Sequence, residues 1–168
     1  MKKVFVYVSL ILLIVSSFSC TESKTKTFNS VTELIEAKKS EVNFINASEL
    51  KSIITSGEKI QLIDCRETIE FDSVCIKGAI NIPRGLLESE ISNKAPKHRQ
   101  TIYVYCSDGN RSILAASVLP KLKYADVRVL KGGFENWKNE CKDLVELHPV
   151  RGGKKTETTA KPSGSCGG

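Results

Sequence analysis

Short, unbroken apolar runs dominate the middle of the chain: residues 61–64, 79–82, 101–105 and 127–130. A strand with one wet face alternates apolar and polar residues; an unbroken run points to a strand buried on both faces. The intervening stretches have helical spacing. Val31, Leu34 and Ile35 recur one helical turn apart, and so do Leu50, Ile53 and Ile54. Asn46 stands three residues before Glu49, a capping box, and Ser56-Gly57 supplies a stop. Two further helices are predicted over 112–123, which Pro120 should kink or end early, and over 134–144. Strands alternating with helices define an α/β fold: a single domain with a mostly parallel central sheet, flanked by helices on both faces.

Composition narrows the class. The 168 residues are 40% hydrophobic and 26% charged, which excludes a wholly disordered, collagen-like or multi-pass membrane chain. The net charge of +6 is carried largely by the ends, in Lys2, Lys3, Arg151, Lys154, Lys155 and Lys161. The nearly neutral body has no cationic groove with interleaved aromatics, so no nucleic-acid partner is expected.

The N-terminus reads as an address. Two lysines precede an apolar run over 4–15, too short to span a bilayer and suited to a signal peptide over 1–19. Small residues then lead to Cys20, in a pattern similar to a bacterial lipobox. Cys20 is thus the expected lipidation site, and 20–29 forms a polar spacer. The expectation is an extracytoplasmic lipoprotein, held to the membrane by its lipid anchor only. A helical segment over 30–45 and the main domain over 46–148 follow. The tail over 149–168 ends Cys-Gly-Gly and has almost nothing to bury, so disorder is expected there.

The chemistry centres on Cys106-Ser107-Asp108-Gly109-Asn110-Arg111-Ser112, which follows a buried strand and opens a helix. A loop that curls back at a helix start turns several backbone N–H groups inward. Those amides, the helix dipole and the guanidinium of Arg111 all favour a thiolate over a thiol at Cys106. Gly109 allows the tight turn.

Here the chain resembles the rhodanese (sulfurtransferase) family. The 106–112 loop is similar to that family's persulfide-forming loop. Asp64-Cys65-Arg66 resembles its Asp-x-Arg segment, 77–83 its next motif, and Lys131-Gly132-Gly133 through Trp137 its Gly-Gly…Trp segment. The resemblance implies a sulfurtransferase in which Cys106 takes a sulfane sulfur from a small anion such as thiosulfate. A thiol or cyanide-like acceptor then removes it. In that scheme Arg111 steers the donor, and Asp64 and Arg66 support the loop. No cofactor and no metal are implied. Related phosphatases and arsenate reductases have a loop one residue longer, so the spacing favours sulfur transfer. The chain departs from the family pattern at Ser107, where the family often has Arg, and at Val74-Cys75-Ile76, where it usually has Gly-His-Ile.

Five cysteines remain besides Cys20. Cys65 and Cys141 read as packing residues. Cys75 is core or a partner thiol near the site. Cys166, on the tail, is within reach as a sulfur acceptor or resolving thiol. His98 and His148 stand apart from any ligand cluster, and Phe44 and Trp137 read as core. The alternative functions are a non-enzymatic rhodanese-like binding module and a thiol-redox protein. Nothing in the sequence sets an oligomeric state.

Overall fold

The computed structural model describes residues 26–147. The signal peptide, Cys20, His148 and the tail with Cys166 therefore lie outside the described residues. The chain divides into Met1–Ser30 and Val31–Gly168. In the first unit, Lys26 Nζ lies 5.2 Å from the centroid of the Phe28 ring. The second unit carries the described helices and strands.

Five parallel strands form the main sheet: β1 (Asn43–Ile45), β2 (Gln61–Asp64), β4 (Ile80–Asn81), β5 (Ile102–Tyr105) and β6 (Val127–Leu130), in the order β1-β6-β5-β2-β4. The helices are α1 (Val31–Lys39), α2 (Ala47–Thr55), α3 (Thr68–Ser73), α4 (Leu87–Lys94), α5 (Asn110–Val118) and α6 (Gly133–Glu140). A small antiparallel pair, β3 (Val74–Ile76) with β7 (Val145–Leu147), stands beside the main sheet.

The unbroken apolar runs have a direct explanation. Ile63, Ile102, Val104, Val127 and Val129 enter one core with Ile35 of α1, Leu87 and Ile91 of α4 and Ile113 of α5. Leu62, Tyr103, Tyr105 and Leu130 enter a second core with Leu50 of α2 and Phe134 and Trp137 of α6. Successive side chains leave a strand on opposite faces. Here both faces are covered, so every position favours an apolar side chain.

Several details differ from expectation. The segment 30–45 is helical only over Val31–Lys39, because Asn43–Ile45 pairs with β6 as an edge strand. The apolar run at 79–82 supplies only the two-residue strand β4. The expected helix over 112–123 is α-helical over Asn110–Val118 and then tightens to a 3₁₀ turn at Leu119–Leu122. Pro120 occupies the start of that turn, where its missing N–H is tolerated. The last helix ends at Glu140, short of residue 144. Helix α3 gave no periodic signal because none of its residues is buried. Asn46 caps α2, with its N–H donating to Glu49 Oε2 at 3.2 Å.

Candidate active site

The 106–109 loop leaves the carboxyl end of β5, near the centre of the sheet, where parallel α/β folds place their ligands. Gly109 adopts φ +103°, a left-handed conformation that a side chain resists. This turns its N–H onto Cys106 Sγ at 3.2 Å. The Ser112 hydroxyl lies 3.6 Å from the same sulfur while donating to Gly109 O at 2.8 Å. Asp108 Oδ1 lies 3.5 Å from the sulfur and accepts the Asn110 N–H at 3.0 Å. The cradle expected around Cys106 thus has one donor fixed on the sulfur, the Gly109 N–H, beside a Ser112 hydroxyl whose single proton can serve either Gly109 O or the sulfur. It also holds the carboxylate of Asp108, a loop residue expected to help bind substrate. Cys106 itself has no exposed surface. Of Asp108, Gly109 and Ser112, which approach its sulfur, only Asp108 is exposed.

The loop rests on α6. Phe134 N–H donates to Cys106 O at 2.8 Å, and Glu135 N–H to Ser107 O at 3.0 Å. Gly133 makes this approach possible. A Cβ there would lie 2.5 Å from both carbonyl oxygens, and its φ is +61°. The Gly-Gly segment is therefore a seat for the loop.

Arg111 is engaged by a residue that the sequence did not single out. Its guanidinium donates to Glu70 Oε2 at 2.9 Å, to Glu70 Oε1 at 3.1 Å and to Ser107 Oγ at 2.9 Å. Ser107 Oγ in turn donates to Glu70 Oε1 at 2.9 Å. The Arg111 bonds, aided by Ser107 and opposed by partial burial, hold the Glu70 carboxyl down at about 2. Glu67 lies 3.9 Å from Arg111 as well. The Asp108 carboxyl also sits below its ordinary value. Burial opposes its charge, but the Asn110 N–H, Cys106 and Arg111 outweigh burial.

Asp64 and Arg66 form a buried ion pair, 0% and 4% exposed. Arg66 donates to Asp64 Oδ2 through Nη2 at 2.6 Å and also to Val74 O at 2.7 Å. Its guanidinium lies 4.1 Å from the Phe134 ring and 5.7 Å from that of Tyr105. The pair therefore braces the end of β5 and the start of α6, the two elements that hold the loop.

Cys65, Cys75, Cys106 and Cys141 are all buried thiols. Burial pushes Cys75 up to about 11, and it lies on β3 in the small sheet. Trp137 is core, as expected, but Phe44 is 41% exposed. Phe44 lines a cavity of about 480 Å³ that abuts Asp108 and Gly109. Sequence patterning gave no hint of it, because its walls come from four separate segments. No group of three or more His, Cys, Asp or Glu is arranged to hold a metal among the described residues.

Residues 46–140 match the family described as the Rhodanese-like domain. The chain belongs to this family. A probable adenylyltransferase/sulfurtransferase, MoeZ, of Mycobacterium tuberculosis is 38% identical over 103 residues, covering 60% of this chain and 26% of that protein. A sulfurtransferase of Allochromatium vinosum is 31% identical, covering 57% of this chain and 88% of that protein. Among solved structures, the human single-domain sulfurtransferase TSTD1 superimposes with a TM-score of 0.54 at 27% identity, over 59% of this chain and 97% of that one. The chain thus spans about a quarter of the mycobacterial protein. The rhodanese-like match begins at Asn46, so α1 and β1 lie before it.

Proposed function

We propose that the protein is a sulfurtransferase that carries a sulfane sulfur on Cys106. The observation that carries this reading is the Gly109 N–H turned onto Cys106 Sγ at 3.2 Å, with the Ser112 hydroxyl 3.6 Å from the same sulfur. Such donors stabilise negative charge on sulfur in the thiolate and in the persulfide alike. The Cys106 thiolate attacks the sulfane sulfur of the donor. A new S–S bond forms, the donor S–S bond breaks, and the donor remainder leaves with its electron pair; with thiosulfate this is sulfite. An acceptor thiolate or cyanide then takes the outer sulfur and returns the Cys106 thiolate, a covalent two-step cycle. Names of sulfurtransferases among the relatives support sulfur transfer as the class of chemistry. We place the protein outside the cytoplasm, tethered by a lipid on Cys20, on the strength of the leader sequence alone.

A second reading, a non-catalytic rhodanese-like binding module, draws on the burial of Cys106. One experiment separates the two. The protein is incubated with thiosulfate and weighed by mass spectrometry, and thiocyanate is assayed after cyanide is added. Sulfur transfer requires a gain of one sulfur atom on Cys106 and thiocyanate release, both abolished by Cys106→Ala. An unchanged mass with every sulfane donor tried would leave only the binding module.

A further inference from the structure

The last described strand runs toward the active loop. β7 is antiparallel to β3, with Val145 opposite Ile76 and Leu147 opposite Val74. It therefore heads back toward α3, which ends at Ser73, immediately before β3. Glu70 of α3 bonds both Ser107 and Arg111 of the Cys106 loop. Paired strands lie about 5 Å apart and a helix rises about 1.5 Å per residue, so Leu147 stands within about 20 Å of that loop.

The face that α3 presents along this route is acidic. Glu70 is matched by Arg111, but Glu67 and Asp72 are exposed, and Asp72 has no ion-pair partner among the described residues. The sequence beyond Leu147 has the opposite sign: Arg151, Lys154, Lys155 and Lys161 stand against one acid, Glu157. Attraction between the two favours a course along α3. Cys166 follows, 19 positions beyond Leu147 and outside the described residues. A chain of that length, as a coil, spans about 25 Å, close to the distance to be bridged. A tether matched to its span presents its end group at about millimolar effective concentration. Ser165 and Gly167 flank Cys166. Such small neighbours suit a thiol that must approach Cys106, which has no exposed surface.

Resting on the sulfur-transfer reading above, we propose that Cys166 is the first sulfur acceptor, guided to Cys106 along the acidic face of α3. A persulfide carries its outer sulfur about 2 Å beyond Cys106 Sγ, toward the incoming thiol. The Cys166 thiolate attacks that outer sulfur. A new S–S bond forms at Cys166, the Cys106 S–S bond breaks, and the Cys106 thiolate leaves with its electron pair and regains the Gly109 N–H. The transferred sulfur keeps its proton, and no oxidant or reductant is consumed. Cys166 then holds the sulfur away from the buried cradle, where a bulkier acceptor can collect it.

The test loads the full chain with thiosulfate, and in parallel with inorganic polysulfide, removes the donor and maps persulfides on alkylated peptides over time. Sulfur should appear first on Cys106 and then on Cys166. Cys106→Ala reports any direct labelling of Cys166 by the donor, and Cys166→Ser should trap the sulfur on Cys106. Transfer within one chain should keep the same rate constant over a tenfold dilution and slow with added salt. Glu67→Gln with Asp72→Asn should slow it about threefold, the scale of exposed ion pairs. The wild-type time course, dilution and salt series need no variant. Sulfur on Cys106 that never reaches Cys166 above the Cys106→Ala level, a rate that falls in proportion to dilution, or a Cys106–Cys166 disulfide in place of the second persulfide overturns the proposal and leaves sulfur transfer intact. No sulfur on Cys106 from either donor removes both.

Discussion

Glu70 and Arg111, 41 positions apart in the chain, are joined by two hydrogen bonds of 2.9 and 3.1 Å at the rim of the Cys106 loop. Ser107 closes the triangle by bonding both. The ion pair ties α3 to the start of α5 and neutralises the loop's own arginine. Arg111 is therefore held as much by scaffold as by any passing anion.

This pair predicts a specific acid dependence. The Glu70 carboxyl is lowered from 4.5 to about 2, chiefly by Arg111. A carboxyl whose folded value is depressed adds stability that is complete above its unfolded value and is lost as pH falls through the folded one. Glu70→Gln should therefore lower Tm at neutral pH, and the gap to wild type should close between about pH 4.5 and 2. Thermal melts of both proteins across that window check the sign. A gap undiminished at the acid end would assign the effect to packing instead.

Gly133→Ala should displace the active loop. The added methyl meets the Cys106 and Ser107 carbonyl oxygens at 2.5 Å, and both belong to backbone. Positive φ alone costs a side chain about 1 kcal/mol, and the clash adds to it. Sulfur loading on Cys106 should fall by at least tenfold, with a lower Tm. Wild-type loading in this variant would show that α6 is not the loop's seat.

Ser112→Ala removes the hydroxyl that can turn from Gly109 O to the Cys106 thiolate. The hydroxyl approaches Cys106 Sγ at 3.6 Å and bonds Gly109 O at 2.8 Å. A hydrogen bond to a charged group is worth about 1.5–3 kcal/mol, so sulfur loading should slow by roughly tenfold or more. Single-turnover kinetics with a fixed donor would reveal it. An unchanged rate would leave Gly109 N–H as the sole stabilising donor.

Arg66→Ala should be the most destabilising of these changes. It strands Asp64, which is fully buried, without its cation. Breaking a buried pair from one side costs about 3–5 kcal/mol. Urea denaturation measures this directly. A loss below about 1 kcal/mol would mean that water reaches Asp64.

Much of the framework was legible from local pattern. The strands at 61–64 and 127–130 coincide with β2 and β6, and the run at 101–105 contains β5, because a strand covered on both sides must be apolar throughout. The Asn46 cap and the early end of the helix at Pro120 were likewise readable, since both are set by neighbours a few residues away. Elements with little to bury escaped: α3 has no buried residue, and the strands β1, β3 and β7 have three residues each. Too few positions remain for a periodicity to register.

The same division runs through the site. Cys106, Gly109, Arg111 and Ser112 stood out because loop chemistry is encoded by adjacent residues. Glu70, the use of Gly133 as a seat beneath Cys106, and the cavity between Phe44 and Lys131 did not, although the Gly-Gly segment itself was visible as a motif. Each depends on segments far apart in the chain that meet only once the sheet has assembled. Contacts within a turn follow from short-range sterics and hydrogen bonding, so they can be read residue by residue. Charge compensation and pocket shape arise from through-space proximity, which chain order does not carry.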